Sequence, residues 1–128
     1  MLGSNDVCAT VAVSDMAVAT QFYGETLGLE MGDESPAGTF FKSGNSGIFV
    51  YPSGVAGTNK ATYVAWAVDD VEGTIAELKA KGVNFEQYDN LPDTTREGDL
   101  HIMGDLKAAW FTDPDGNILS FSNMPTNK

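Results

Sequence analysis

The sequence predicts an α+β fold of two tandem βαβββ modules, with a curved, mixed, open-barrel-like sheet and helices on its outer face. Three observations carry this prediction. A length of 128 residues with 42% hydrophobic content suits a single domain with a real core. The order strand, helix and three strands can be read twice along the chain. The two readings also superimpose: Val13-x-Asp15 falls on Val68-x-Asp70 at an offset of 55 and Gly28 on Gly82 at 54. Further on, Phe40-Phe41, Ile48 and Tyr51 fall on Trp110-Phe111, Ile118 and Phe121 at a constant offset of 70.

In the first module, about 5–53, the apolar run Val7 to Val13 reads as a buried strand, ended by Ser14-Asp15 as a helix cap. Met16, Ala19, Phe22, Tyr23 and Leu27 recur at helical spacing, so a helix is expected over 16–27, closed by Gly28. Strands follow at Leu29–Met31, Gly38–Lys42 and Gly47–Tyr51, with SGNSG as the turn between the last two.

The second module, about 60–124, repeats the punctuation: a strand over Ala61–Val68, a cap at Asp69-Asp70, a helix over Val71–Lys81 and Gly82 to end it. The closing pair of strands flanks Asp113-Pro114-Asp115-Gly116, which reads as a hairpin turn because a calcium loop would need further carboxylates and a closing Glu. Between offsets 54 and 70 lies an insertion, the polar segment Tyr88 to Asp105, expected to be a binding loop or lid. A slip of one residue is expected inside the first helix, where the offset drops from 55 to 54. Each module alone leaves its sheet half exposed, so pairing two of them should create a shared concave surface for a small molecule.

Composition narrows the partners. A net charge of −11 and no Lys/Arg cluster make nucleic acid and membrane poor partners, since both present negative charge. No run approaches the length of a membrane span and no secretion signal opens the chain, so a cytoplasmic location is expected. A single cysteine, Cys8, forms no internal disulfide.

The segment VAVSDMAVATQFYGETLGLEMG resembles the opening strand and helix of the vicinal oxygen chelate superfamily, and AAWFTDPDGNILSF resembles its closing hairpin. The resemblance spans nearly the whole chain. It implies the paired-module fold and a homodimer, in a superfamily that includes glyoxalases, extradiol dioxygenases, fosfomycin-modifying enzymes and bleomycin-resistance proteins that bind drug without catalysis. Its metal-dependent members place His, Glu or Gln at four symmetry-related strand positions. Counted from Asp15, Asp70 and the two hairpins, those positions carry Cys8, Tyr63, Val50 and Ser120. Valine has no donor atom, serine is a weak neutral ligand, and tyrosine would have to give up a proton of pKa about 10. No metal and no other cofactor is therefore expected.

Alternation directs Cys8, Thr10, Ala12, Tyr63, Ala65 and Ala67 to the pocket side, with Val11, Val13, Val64, Trp66 and Val68 toward the helices. The candidate ligand-binding set is Cys8, Phe40, Val50, Tyr63, His101, Trp110 and Ser120. No basic neighbour activates Cys8, so a buried structural cysteine is the favoured reading. His101 reads as a loop histidine, exposed or packed, or else as a general base at the cavity mouth. Trp110 and Phe40 either stack on a planar ligand or pack beneath a helix. The expected function is a metal-independent binder of a cationic or aromatic organic molecule such as an antibiotic. The alternative is a lyase, isomerase or dioxygenase-like enzyme drawing on His101, Tyr63, Cys8, Asp99 or Glu97.

Overall fold

In a computed structural model, which describes residues 2–124, the described residues form two compact units, divided after Asn59, each around its own sheet. Unit one runs through a 3₁₀ turn at Leu2–Ser4, β1 (Ala9–Val13), α1 (Met16–Thr20), β2 (Glu30–Ser35), β3 (Gly38–Ser43) and β4 (Ser46–Pro52). Its sheet order is β1-β4-β3-β2, with β1 parallel to β4 and the other pairs antiparallel. Unit two runs through β5 (Thr62–Ala67), α2 (Val71–Ala80), β6 (Asn84–Glu86), β7 (Thr95–Glu97), β8 (Leu100–Met103), β9 (Leu106–Thr112) and β10 (Ile118–Ser122). Its order is β5-β10-β9-β8-β7, and β6 also pairs with β9. The βαβββ order is present in both, and among the described residues no helix is long and apolar enough to cross a membrane.

The helix starts follow from short acidic caps. Asp15 Oδ1 accepts from the amides of Ala17 at 2.9 Å and Val18 at 3.3 Å, and Asp70 Oδ1 accepts from Gly73 N–H at 3.0 Å. Both ends fall at glycines in the left-handed region, Gly28 at φ 77° and Gly82 at φ 86°, which any side chain would strain. Between cap and end, the first helix holds one residue more than the second. The structure accommodates it as a π-helical stretch over Gln21–Thr26, where Leu27 N–H reaches back five residues to Phe22 O at 2.9 Å. The slip in the sequence offset is this widened turn.

Each helix buries one stripe against its sheet. In unit one Ala19 and Tyr23 are buried, and Tyr23 meets Phe41 with ring centroids 6.1 Å apart, beside Val11, Val13, Ile48 and Val50. In unit two Val71 and Leu78 of α2 are buried, and Phe111 lies 6.2 Å from Trp66, 5.9 Å from Phe85 and 5.8 Å from Phe121. An ion pair from Lys107 Nζ to Glu72 at 2.8 Å fastens α2 to the same side of β9 that carries Phe111.

Two expectations are corrected. The strand expected at Leu29–Met31 extends to Ser35; its Gly32, Asp33, Glu34 and Ser35 gave no apolar signal because β2 is a sheet edge with five of six residues exposed. The expected loop Tyr88–Asp105 contains two strands. Residues 95–97 and 100–103 form a β-hairpin, and β8 pairs with β9 at Met103↔Leu106 through His101↔Ala108. β6 covers only the Trp110–Thr112 end of that edge, so β8 takes up the remainder. Backbone hydrogen bonding holds this segment in the sheet, with Leu100–Met103 beside β9 and the polar Thr95–Glu97 at the edge.

The aromatic packing around Phe111 sets the stability of unit two. Phe111→Ala should lower the free energy of unfolding by about 3–5 kcal/mol, read as a reduced urea midpoint at unchanged slope. A loss below about 1 kcal/mol would mean that this cluster is not the core.

Candidate functional site

With α2 on one face of the second sheet, the other face carries a two-row array fixed by strand register. One row is Ala67, Ser122, Ala108, His101 and Arg96, running β5-β10-β9-β8-β7. The next is Ala65, Ser120, Trp110 and Glu86. Thr62 joins this face through its pairing with Ile118, and the register then shifts by one residue at the half-buried Tyr63, which has no partner on β10. Small residues therefore flank the indole toward β5 and β10, and larger polar ones, His101, Arg96 and Glu86, flank it toward the other edge.

That indole is held from three sides. Trp110 Nε1–H donates to Thr62 Oγ1 at 3.2 Å. Its ring meets His101 edge-to-face at 4.8 Å and 87°, and Tyr88 at 5.3 Å and 76°. Trp110 is half-buried, so part of the ring remains available. Such T-shaped contacts fix ring orientation and contribute about 0.5–1.5 kcal/mol each.

His101 itself is fully buried. Nε2 accepts the Tyr88 amide N–H at 2.9 Å, and Nδ1 lies 3.2 Å from Asp99 O, which assigns the proton to Nδ1. Burial holds the ring below its ordinary 6.5, against the opposing pull of the Asp99 and Ala108 carbonyls. With both nitrogens engaged, His101 is neither an exposed loop residue nor a free general base. Asp99, considered as an acid–base partner, is likewise committed: Oδ2 takes Lys79 Nζ at 2.8 Å and Oδ1 takes Gln87 Nε2 at 3.0 Å. The Lys79 bond is the main reason its carboxyl sits below the usual range. Asp89 is paired to Arg96 through two contacts of 2.7 and 3.2 Å.

In unit one, the face opposite the helix carries Thr10, Phe49 and Phe40 in one register row, with Ala12 and Tyr51 in the next. Phe49 and Tyr51 stack at 6.4 Å and 14°. A Cβ on Gly47 would drive into the Phe40 ring, so glycine there gives that ring its place. Cys8 is exposed, not buried as expected, and lines with Phe40 and Lys42 an open depression of about 760 Å³.

Val50 requires correction. It pairs with Val11 and Thr39, is fully buried and lies on the helix side, whereas Ser120 pairs with Ala65 on the open side. The cause is the turn. Ser43↔Ser46 encloses two residues and Thr112↔Ile118 encloses five, so the constant sequence offset conceals a one-residue change of register. The counterpart of Ser120 in unit one is Phe49. The second turn is tied by Asp113, whose Oδ1 accepts from Asp115 and Asn117 amides and whose Oδ2 accepts from Asn117 Nδ2 at 2.8 Å, a hairpin device rather than a calcium loop.

Neither Val50 nor Phe49 offers a donor, and among the described residues no group of three or more His, Cys, Asp or Glu is placed to hold a metal ion. The residues at these positions do not fit the metal of the metal-dependent relatives. Sequence reasoning singled out His101, Trp110 and Ser120 one by one; Tyr88, the residue that links His101 to Trp110, it passed over as the start of a loop. The signal was the apolar triplet Leu100-His101-Ile102, which marks a strand beside β9.

A family model described as Glyoxalase/Bleomycin resistance protein/Dioxygenase superfamily matches residues 6–121. Solved structures share the fold. A glyoxalase family protein from Enterococcus faecalis is 20% identical, with a TM-score of 0.72 over 95% of this chain and 99% of that one. The fosfomycin resistance protein FosX from Listeria monocytogenes is 16% identical, with a TM-score of 0.70 over 93% and 92%. TnmS3, an antibiotic binding protein from Streptomyces sp. CB03234, is 24% identical, with a TM-score of 0.66 over 96% and 98%. No curated protein matches the chain.

The Asp99 network yields a test. Its carboxyl is depressed in the fold, so its contribution is present above the ordinary 3.8 and lost as pH falls through the lower folded value. Asp99→Asn should therefore cost about 1–3 kcal/mol at neutral pH, with the gap to the parent unchanged at pH 5 and narrowing only in stronger acid. Urea unfolding across that range checks it; a gap already closing near pH 6 would point to another group.

Proposed function

The chain belongs to the Glyoxalase/Bleomycin resistance protein/Dioxygenase superfamily, and on that premise we propose that it is a metal-independent small-molecule-binding protein, its ligand an aromatic or cationic organic compound such as an antibiotic. One observation carries the reading: Trp110 is braced by His101, Tyr88 and Thr62 on a helix-free face whose β5 and β10 side carries the small residues Ala65, Ala67, Ser120 and Ser122. A rigid indole beside small side chains leaves room for a planar ring and loses little entropy when it binds one. Ser120, paired with Trp110 across the strands, supplies a hydroxyl beside it, and Tyr63 is the further polar contact in this reading. Phe40 and Cys8 line the depression of unit one, and Val50 is buried in the core of that unit.

Three facts support a binder over an enzyme. The ligand positions do not suit a metal, the single histidine has both nitrogens engaged, and Asp99 is held by Lys79 and Gln87. A net charge of −11 favours cations among organic ligands. The name of TnmS3 describes an antibiotic binder of this fold, which makes basic antibiotics the first compounds to try. A cytoplasmic homodimer is part of the same proposal, and its mass is read in the same experiment.

The test is native mass spectrometry with tryptophan fluorescence, using a panel that includes bleomycin and the planar cation proflavine. Binding should quench Trp110, and Trp110→Ala should weaken affinity roughly ten- to hundredfold without loss of fold. If no compound shifts the mass or the fluorescence, the reading fails; a tightly held stoichiometric divalent metal would move it to catalysis.

A further inference from the structure

The one histidine of the chain ties a backbone segment to the face that carries Trp110. Tyr88 immediately precedes the stretch 89–94, which contributes no strand and returns to the sheet only at β7. Its amide is held by His101 Nε2 at 2.9 Å, and its ring leans on both His101, at 5.8 Å, and Trp110, at 5.3 Å. Acceptance by Nε2 requires an unprotonated nitrogen. A proton there would turn an acceptor into a donor facing the Tyr88 N–H, with no room for both in a site of zero exposure.

We propose that His101 is a proton-operated latch on the Trp110 platform: neutral, it fastens Tyr88 against the indole, and protonated, it releases Tyr88 and loosens the ligand site. On release the ring takes a proton from solvent, and the freed amide takes water as its acceptor. This regulation rests on the reading of Trp110 as the ligand platform.

The groups around the ring support a switch at this residue. From β7, Arg96 faces His101 and opposes its charge; from the 88–94 segment, Asp89 favours that charge, but it is paired to Arg96. Asp99 lies beside the ring with its carboxylate on Lys79 of α2 and on Gln87. Both carboxyls are held below their usual range, chiefly by the side-chain bonds to Arg96 and Lys79, so neither takes up a proton in weak acid. From β9 come Ala108 and Trp110, and from β6 Glu86 in the Trp110 row. Tyr88's phenol is raised by burial and by Glu86 and stays protonated. Burial lowers the imidazole itself, so the latch is closed at neutral pH and opens below the ordinary 6.5.

The experiment uses ¹⁵N-labelled, ligand-free full chain between about pH 7.5 and 5. A long-range nitrogen–proton spectrum reads the lone histidine directly, and amide exchange reads Tyr88. The expected result is an Nδ1–H tautomer at neutral pH, a titration midpoint below 6.5, and a Tyr88 protection factor that drops about tenfold through that midpoint. In His101→Gln the Tyr88 protection should not depend on pH; should that variant not fold, the parent titration decides alone. An Nε2–H tautomer, a midpoint at or above 6.5, or Tyr88 protection unmoved through the titration overturns the latch. Proflavine, a cation across this range, then separates the two readings. Affinity should fall about tenfold on acidification in the parent. An unchanged affinity despite release of Tyr88 overturns the gating, whereas no binding at any pH with Tyr88 released leaves the latch standing and refutes the ligand platform.

Discussion

The second unit depends on the register of one strand. β9 pairs with β10 along one edge and with β6 and β8 end to end along the other. Its alternation sends Ala109 and Phe111 to the helix side and Ala108 and Trp110 to the open side. Phe111 packing thereby determines where Trp110 stands. A slip of one residue would exchange a buried phenylalanine for an indole that needs a hydrogen-bond partner, so the hydrophobic core and the binding face select the same register.

The β8 hairpin adds a second constraint on that face. Without β8, half of the β9 edge would be unpaired, and backbone groups near the core would need water. With β8 in place, His101 comes beside Ala108, and Tyr88 is the nearest donor to its free lone pair. The polar insertion is thus at once a sheet edge and the bracket of Trp110. Its own charges close locally: Arg96 spans Asp89 and the Gly98 carbonyl, and Lys79 and Gln87 satisfy Asp99. Exposed pairs such as Arg96 with Asp89 contribute little to stability, but they fix where the hairpin turns.

What the sequence revealed, and what it hid, divides along physical lines. Signals local to a segment were legible: Asp15 and Asp70 as caps, Gly28 and Gly82 as helix ends, and the alternation that separates Val64 and Trp66 from Ala65 and Ala67. Signals that depend on pairing were not. Val50 and Ser120 are equivalent in sequence and opposite in facing, because turn length is visible in the chain but its register is settled only when strands pair. β2 beyond Met31 and β7 are strands by hydrogen bonding to a neighbour, with side chains too polar to show it. The π-helical turn was visible as a one-residue slip, but its form was not, since a surplus residue can also be absorbed as a loop.

Chemistry follows the same division. Counting positions showed that Cys8, Val50, Tyr63 and Ser120 are a poor metal set, and the corrected register, with Phe49 in place of Val50, leaves that conclusion intact. For His101 the sequence could name the residue but not its state, which is decided by the Tyr88 amide thirteen residues upstream. A histidine that receives a backbone N–H in a fully buried site is neutral by construction. Its imidazole then serves as packing surface and hydrogen-bond acceptor together, a combination that the apolar side chains around it do not provide. A phenylalanine there would keep the edge contact with Trp110 and leave the Tyr88 amide unsatisfied, while a glutamine would satisfy the amide and lose the ring. His101 is the residue type that meets both demands, and its price is sensitivity to protons.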